Sequence, residues 1–315
     1  MSFLVGVDIG GTSVKLGLIQ SGETFAVVKQ AAIATQSAEP AAVLAQRIAV
    51  AVKELAAGYK VEGAGVGCPG LIDPWKGVVR TSPNLKNMPG FELKASLAKL
   101  TGLPVEIQND ANAAVLGEWL FSPASKGVKN LILLTLGTGV GGGVVCDGHL
   151  LVGADNAATE LGHLKVEYAD GAPCGCGKKG CIEAYAGAGG IVRIAKAKIA
   201  RGEKTILAGE FTTREISIAA GKGDAVAKET LFAVGRYLGR GVAHLLETFN
   251  PEQVILGGGA SAAIEHLMPG INAGLDEVSS FEFTRKRCKI ERSAFADDIN
   301  VIGAAATYLN AHQAK

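Results

Sequence analysis

The chain contains 315 residues, of which 48% are hydrophobic and 19% are charged. A chain of this length has room for two compact lobes, since single hydrophobic cores stop growing at roughly 250 to 300 residues, and its composition excludes extended disorder. Lys and Arg number 31 against 30 Asp and Glu. This balance excludes the overall basic field that drives non-specific binding to nucleic acids or anionic membranes.

The N-terminal sequence and the cysteines indicate a cytoplasmic protein. The opening MSFLVGVDIGG has a short apolar run interrupted by Asp8, without the basic start or small-residue cleavage site of a secretory signal. No uninterrupted apolar stretch is long enough to span a bilayer. Three of the six cysteines lie in CGCGKKGCIE, from Cys174 to Glu183. In a reducing compartment, clustered cysteines favour a metal site over a disulfide.

The first half of the chain is predicted to begin with strands. FLVGVDIGG has the β-branched character of a buried strand, and VKLGLIQSGETFAVVKQ is typical of strand, glycine-containing turn and strand. A helix is expected between Glu39 and Gly58. Its predicted apolar face consists of Val43, Ile48, Val52 and Leu55. GAGVGCPG predicts another strand and turn, and VEIQNDANAAVLGEWLF runs from a strand into a helix, with Asp110 near the join.

The second half repeats the theme of strand, glycine turn and strand. NLILLTLGTGVGGGVVCDGHLL predicts two strands around a glycine turn, and helices are expected from the cysteine-rich segment to about Asn250. QVILGGGAS predicts a further strand and glycine turn. Glycine-bearing strand pairs near Gly10 and near Gly139 each begin a half of the chain, a pattern that indicates a duplicated α/β unit.

Three glycine turns are candidate phosphate sites. Asp8 to Thr12, DIGGT, places an acid at a strand end before two glycines and a hydroxyl, and Gly137 to Gly143 and Gly257 to Gly259 are the other two. Exposed N–H groups in such turns can cradle phosphate oxygens, while Asp8 could position a hydrated magnesium ion. The alternative is that the glycines only form tight hairpins.

Two common nucleotide motifs do not fit these turns. The segment after Gly143 is predicted to be a strand rather than the helix that a dinucleotide fingerprint opens. A Walker loop is excluded because the turns lack the following Gly-Lys-Ser/Thr. A nucleotide would therefore bind by another fold.

One imidazole and three thiols form a candidate zinc site. They belong to His163, Cys174, Cys176 and Cys181. This is a soft tetrahedral set that zinc favours in closed structural sites, and four protein ligands leave no open position for catalysis by the metal. The alternatives are a cluster of free thiols and a nucleic-acid zinc ribbon, for which Lys178 and Lys179 would be the basic residues.

Five motifs resemble those of a known family. VDIGGTSVKLGL resembles the first phosphate motif of the actin-like ATPase superfamily, and LGTGVGGGVVCDGHLLVGADNAATELGH with CGCGKKGCIE resembles the signature of the ROK family within it. GCPGLID, NDANAAVLGEW and VILGGGAS agree in type and order, so that the resemblance extends from residue 8 to about residue 261. Thr159 stands where the family commonly has glycine.

The resemblance implies an α/β protein with the two-lobed actin-like ATPase, or ribonuclease H-like, fold and a structural zinc loop. The smaller lobe is expected at residues 1–113 and 299–315, with a final helix near Val301 to Ala311, and the larger lobe at residues 114–298. In this superfamily, ATP binds between the lobes.

The resemblance also implies roles for individual residues. Asp110 is the expected catalytic base, although helix N-capping is its alternative role. The sugar-binding residues are expected to be Gly70, Asn84, Asn109, Asp110, Glu160, His163 and Glu183. The expected nucleotide-binding residues are Asp8, Gly10, Gly11, Thr12, Lys15, Gly137, Thr138, Gly139, Gly257, Gly258 and Gly259.

The implied activity is ATP-dependent phosphorylation of a hexose at its 6-hydroxyl, with ATP, magnesium and zinc as cofactors and glucose as the first substrate to consider. Mannose, fructose, allose and N-acetylated hexoses such as N-acetylmannosamine and N-acetylglucosamine stay open. We expect a homodimer or homotetramer with no nucleic-acid or membrane partner. The alternative from another class is a sugar-responsive transcriptional repressor, whose additional N-terminal DNA-binding domain has no room before the motif that begins at Asp8.

Overall fold

The computed structural model describes residues 2–22, 26–82 and 84–312. Its strands alternate with helices in the manner of an α/β protein. In chain order, the strands are β1 (Ser2–Ile9), β2 (Ser13–Ser21), β3 (Ala26–Ala34), β4 (Val61–Cys68), β5 (Leu71–Asp73), β6 (Val78–Thr81), β7 (Val105–Asn109), β8 (Leu131–Leu136), β9 (Val140–Cys146), β10 (His149–Leu150), β11 (Gln253–Gly257) and β12 (Lys289–Arg292).

The helices flank these strands and dominate the second half of the chain. In chain order, they are α1 (Ala41–Ala56), α2 (Leu93–Thr101), α3 (Asp110–Phe121), α4 (Glu183–Ala186), α5 (Ala188–Ala200), α6 (Thr213–Gly221), α7 (Ala225–Phe249), α8 (Ile264–Val278), α9 (Glu282–Arg287) and α10 (Ile299–His312). Among the residues described, no helix has both the length and the apolar character that crossing a bilayer requires.

The chain divides into two compact units of nearly equal length. The first unit consists of Met1–Gly127, Leu150–Thr159 and Asp298–Lys315, and the second consists of Val128–His149 and Glu160–Asp297. The boundaries expected from the sequence, 1–113 with 299–315, place the rest of α3 after Ala113 and the segment Leu150–Thr159 in the other lobe. In the structure, these segments pack with the first unit.

The first unit is built on a five-stranded sheet in the order β3-β2-β1-β4-β7. β1 pairs antiparallel with β2 and parallel with β4, which pairs parallel with β7. The carboxyl ends of β1, β4 and β7 therefore meet at one edge, where Asp8 is in register with Gly67 and Gly67 with Gln108. This edge carries the polar residues of the first candidate site.

Helix α10 packs directly on this sheet because two strand positions carry no side chain. A methyl group on Gly6 would lie 2.0 Å from the carbonyl oxygen of Val301, and one on Gly65 would lie 1.7 Å from that of Ala304. Only glycine lets the backbones approach so closely. The C-terminal helix is thereby fixed against β1 and β4.

The second unit repeats the strand arrangement of the first. Its sheet has the order β10-β9-β8-β11-β12, with an antiparallel β8-β9 hairpin and parallel pairing of β8 with β11 and of β11 with β12. This agrees with the duplicated α/β unit expected from the two glycine-bearing strand pairs. Helices α7 and α8 cross closely, since methyl groups on Gly235 and Gly270 would each lie within 2.2 Å of a carbonyl oxygen on the opposite helix.

Two details of the predicted elements differ from the structure. The apolar face of α1 contains Leu44 rather than Val43, which is 36% exposed, because the helix starts at Ala41 and its core-facing stripe continues through Ile48 and Val52. The C-terminal helix is also longer than the expected span of Val301 to Ala311. The turn predicted within SGETF includes residues 23–25, which lie outside the described residues.

Candidate phosphate turns, buried acids and metal centre

The sequence-predicted site residues are distributed over both units. The first unit contains Asp8, Gly10, Gly11, Thr12, Lys15, Gly70, Asn84, Asn109 and Asp110. The second unit contains Gly137, Thr138, Gly139, Glu160, His163, Cys174, Cys176, Cys181, Glu183, Gly257, Gly258 and Gly259.

The first glycine turn joins β1 to β2 and is fixed from the end of β3. Gly10 N–H donates to the carbonyl of Ser13 at 3.0 Å. Thr35 donates its hydroxyl to the Gly10 carbonyl at 2.6 Å and its N–H to the Thr12 carbonyl at 2.9 Å. Thr35 is fully buried and is not among the predicted site residues. The turn is therefore a rigid loop whose Gly11 and Thr12 remain exposed, as a phosphate cradle requires.

The exposed surface beside this turn carries two more of the predicted residues. A methyl group on Gly11 would lie 3.2 Å from Asn84 Cβ, which places this expected sugar ligand next to the turn. Lys15 is exposed on β2 and pairs with Asp8 across the β1-β2 ladder. Amide, ammonium and carboxylate groups thus surround one backbone turn.

A buried carboxylate, Asp8, and a half-buried one, Asp110, lie together at the sheet edge. A methyl group on Gly67 would be 3.6 Å from Asp110 Cα and 3.9 Å from Asp8 Oδ1. Burial, followed by the negative charge of Asp110, raises the pKa of Asp8 to about 6, although Asn300 Nδ2 donates to Asp8 Oδ2 at 3.3 Å and opposes this shift. Burial also raises the pKa of Asp110. Desolvation makes both groups stronger proton acceptors than ordinary aspartates.

The capping role at the start of α3 belongs to Asn109 rather than to Asp110. Asn109 Oδ1 accepts the N–H groups of Ala111 at 2.9 Å and Asn112 at 3.2 Å. Its Nδ2 donates to the Gly70 carbonyl at 3.1 Å, and Gly70 has a φ of 103° that favours glycine. N-capping therefore does not explain the acid at Asp110, which also accepts from Ala111 N–H at 2.9 Å.

The two glycine turns of the second unit lie close together at the end of β8. Gly137 N–H donates to the Gly139 carbonyl at 2.9 Å, and its own carbonyl accepts from Ala188 at the start of α5 at 3.0 Å. Gly258 has a φ of 76°, and a methyl group there would lie 2.5 Å from the carbonyl oxygen of Leu136. The third turn thus packs against the end of β8, directly before the second.

Glu183 links the second glycine turn to the cysteine-rich loop. Its Oε2 accepts the Val140 N–H at 3.1 Å, and its Oε1 lies 3.2 Å from Cys174 Sγ. A methyl group on Gly139 would lie 2.3 Å from Glu183 Oε2. Glu183 is predicted to bind sugar, and its contacts with the turn and with Cys174 were not predicted.

The four predicted metal ligands converge. Their ligand atoms all lie within 4.8 Å of one another, with 3.6 Å between His163 Nδ1 and Cys174 Sγ and 3.7 Å between the sulfurs of Cys176 and Cys181. A tetrahedral zinc ion with bonds of about 2.3 Å to sulfur and 2.0–2.1 Å to nitrogen sets these edges at about 3.6 Å for N–S and about 3.8 Å for S–S. The residues therefore fit a zinc ion.

The thiols of this cluster differ in their electrostatics. The N–H of Lys178 lowers the pKa of Cys176, whereas burial raises the pKa of Cys174 to about 12. A bound cation deprotonates a coordinating thiol, so that Cys174 would become a thiolate when a metal binds. All six cysteines are free of disulfides.

The segment before His163 contains a left-handed residue that is not glycine. Thr159 has a φ of 67°, an uncommon conformation for a β-branched residue, and its hydroxyl donates to Asn112 Oδ1 at 3.1 Å. Glu160 is exposed, and its carbonyl accepts His163 N–H at 3.0 Å in the short 3-10 turn Leu161–His163. Thr159 thus keeps a backbone conformation that glycine would adopt more easily and adds a hydrogen bond.

Two five-stranded sheets of one strand arrangement, with glycine turns at strand ends, define the class of protein: an α/β protein built from two similar units. The chain belongs to the ROK family, whose sequence pattern matches residues 4–311. It is 39% identical to a glucokinase of Halalkalibacterium halodurans over 279 residues, which cover 85% of this chain and 83% of the relative.

Solved structures of the family have the same fold. A ROK family glucokinase from Streptomyces griseus in complex with glucose and AMPPNP matches with a TM-score of 0.79 and 31% identity, over 96% of this chain and 98% of that one. A ROK family transcriptional regulator, a homologue of the E. coli MLC protein, matches with a TM-score of 0.87 and 28% identity, over 98% of this chain and 78% of that one.

Proposed function

We propose that the protein is an ATP-dependent hexose kinase that phosphorylates the 6-hydroxyl of its sugar, with glucose as the preferred substrate. The observation that carries this proposal is the pair of neighbouring carboxylates with raised pKa, Asp8 and Asp110, at the sheet edge beside the Gly10 turn. Family membership, the glucokinase relative and the related structure with glucose and AMPPNP support it.

In this proposal, Asp110 accepts the proton of the sugar hydroxyl while the hydroxyl oxygen forms a bond to the γ-phosphorus. The bond from that phosphorus to the bridging oxygen of ADP breaks, so that hexose 6-phosphate and ADP leave and the proton remains on Asp110 until solvent removes it. The raised pKa of Asp110 suits this role, because a general base works best when its pKa approaches the operating pH.

The same proposal assigns the phosphate and magnesium contacts. The N–H groups of the glycine turns would bind phosphate oxygens, and Asp8 would hold the hydrated magnesium ion. Magnesium, when bound, neutralises charge on the transferring phosphoryl group. Asn300 and Thr35 would then act indirectly, since one orients Asp8 and the other fixes the Gly10 turn.

Zinc is the metal that we propose for the cysteine-rich loop. The four ligands His163, Cys174, Cys176 and Cys181 would hold it in a closed tetrahedral site that supplies a fixed loop geometry rather than catalysis. Glu160, His163 and Glu183 belong to this loop or border it. We propose that they bind sugar hydroxyls, because carboxylates and imidazole accept or donate the hydrogen bonds that hydroxyls need.

The test of the kinase is ADP release by wild type and Asp110→Asn across a panel of hexoses and acetamido hexoses. The substitution should lower the maximal rate about 100-fold or more, while sugar binding measured by calorimetry persists. Asp147→Asn is the matched control, because Asp147 is an exposed hairpin residue whose φ of 48° asparagine accommodates. Near-normal turnover by Asp110→Asn would remove Asp110 as the base, and a wild type that no sugar stimulates would refute the kinase.

A sugar-responsive transcriptional regulator is the second candidate, favoured by the structural match to the MLC homologue. Sugar-sensitive, sequence-specific binding in a gel shift with genomic fragments, without sugar-stimulated ADP release, would establish it instead. The same substrate panel separates glucose from N-acetylmannosamine, N-acetylglucosamine and fructose. Its outcome decides the substrate within the kinase class.

A further inference from the structure

Lys165 directs its ammonium group at the sulfur of a proposed metal ligand. Its Nζ lies 3.1 Å from Cys181 Sγ and also donates to the carbonyl of Lys179. Lys165 and Cys181 are bridge partners in a short antiparallel pairing. Cys181 is fully buried, and its sulfur lies 3.7 Å from that of Cys176. The lysine therefore reaches a sulfur that has little access to water.

The backbone around Lys165 is held on both sides. The carbonyl of Leu164 accepts Ile182 N–H at 3.0 Å, and Val166 N–H donates to the Gly180 carbonyl at 2.8 Å. Arg240 of α7 donates to the Val166 carbonyl at 3.2 Å. The Lys165 side chain therefore extends from a backbone segment that is fixed by hydrogen bonds on both sides.

The chemistry of the site favours a cation at this place. Three thiolates and one neutral imidazole around a divalent cation leave one net negative charge, part of it on the buried Cys181 sulfur. A charge-assisted hydrogen bond from an ammonium group spreads that charge and orients the sulfur lone pairs toward the metal. Lys178 and Lys179 are exposed in the same loop.

We propose that Lys165 is a positioning residue for the metal centre: it holds Cys181 Sγ in its ligating position and slows release of the metal. This inference rests on the proposed zinc site. Lys165 touches no sugar or phosphate in this scheme and acts through Cys181 alone.

Zinc release from the purified, zinc-loaded protein tests the inference. A chromogenic chelator in excess reports the first-order release rate for wild type, Lys165→Met, Lys165→Arg and the control Lys178→Met. Lys165→Met should release zinc about 10-fold faster or more. Lys178→Met removes an equal charge in the same loop and should stay within about twofold of wild type. Lys165→Arg keeps charged N–H donors and should recover part of the difference.

Cobalt substitution gives a readout that does not depend on activity or on release. Loss of the hydrogen bond raises the energy of the sulfur electrons, so the sulfur-to-cobalt charge-transfer band of Lys165→Met should move to longer wavelength, while that of Lys178→Met should not move. Equal release rates and equal spectra for these two variants would overturn the role of Lys165. A wild type that takes up neither zinc nor cobalt would instead overturn the proposed zinc site.

Circular dichroism of the variants separates this role from a folding defect. If Lys165→Met does not fold, the comparison passes to Lys165→Gln and Lys165→Arg, which both keep a polar group of similar length. Release from Lys165→Gln that is no faster than from Lys165→Arg would then contradict the proposal.

Discussion

The buried charge of Asp8 should cost the ligand-free protein stability, and Asp8→Asn should remove that cost. Asp8 is 8% exposed, and its pKa is raised from 3.8 to about 6, first by burial and then by Asp110. Each pKa unit corresponds to about 1.4 kcal/mol, so the ionised carboxylate costs the folded state about 3 kcal/mol at pH 8. Asparagine has nearly the same shape and keeps an oxygen for the bond from Asn300.

The sign of the pH dependence follows from the direction of the shift. Between pH 3.8 and about 6, folded Asp8 binds more protons than unfolded Asp8, so the free energy of unfolding rises as the pH falls through this window. The cost of about 3 kcal/mol at pH 8 shrinks to about half at pH 5. The stability of Asp8→Asn relative to wild type should therefore fall by about 1.5 kcal/mol between pH 8 and pH 5.

Urea unfolding of both proteins at pH 8 and pH 5, without magnesium or nucleotide, measures this change. Asp73→Asn is a control of opposite sign, because the hydrogen bond from Arg80 to Asp73 Oδ2 at 2.7 Å lowers the pKa of Asp73. Its contribution is present at both pH values and is lost only as the pH falls through the lowered pKa. A difference between Asp8→Asn and wild type that is the same at pH 8 and pH 5 would refute the reasoning.

Two further substitutions test the packing and the second glycine turn. Gly65→Ala places a methyl group 1.7 Å from the Ala304 carbonyl oxygen and should lower the free energy of unfolding by about 3 kcal/mol. Gly221→Ala is the control, because its methyl group meets nothing within 4 Å. In the same urea titration, Gly221→Ala should leave the free energy of unfolding unchanged or raise it by up to about 1 kcal/mol. Glu183→Ala removes the acceptor of Val140 N–H and should raise the KM for ATP about 3- to 10-fold. Glu183→Gln keeps an acceptor and should stay near wild type, and equal KM values for the two variants would argue against this role of Glu183.

The two sheets were predictable because glycine and β-branched residues mark hairpins and buried strands locally. The assignment of Leu150–Thr159 to the first unit was not predictable. It depends on a buried polar residue, Asn156, whose Nδ2 donates to the Ile72 carbonyl at 3.0 Å and to Gln108 Oε1 at 2.8 Å. Its partners lie 84 and 48 residues away along the chain. The periodic spacing of apolar residues predicts helices and strands, and it does not predict such distant polar contacts.

In the candidate sites too, features set by neighbouring residues were predicted, whereas contacts between residues distant in sequence were missed. The strand-to-helix junction at Asp110 was correctly predicted, but its neighbour Asn109 performs the capping, and spacing alone does not decide between adjacent residues that both cap well. Thr35 and Asn300 were missed because their contacts with Gly10 and Asp8 span 25 and 292 residues. The catalytic and ligand-binding roles themselves stay predictions.

The irregular backbone of the cysteine-rich loop gives a physical reason for the proposed structural metal. Between Glu160 and Glu183, the structure has one short 3-10 turn and isolated β-bridges instead of a helix or a full ladder. Such a segment lacks the regular backbone ladder with which a helix or a sheet offsets the entropy of ordering the chain, and a metal that ties four side chains together would supply folding energy directly. Because Glu183 follows this loop and bonds to Val140 of the glycine turn, any disorder in the loop would reach the turn. A bound metal would thereby stabilise the Gly137 to Gly143 turn without touching it.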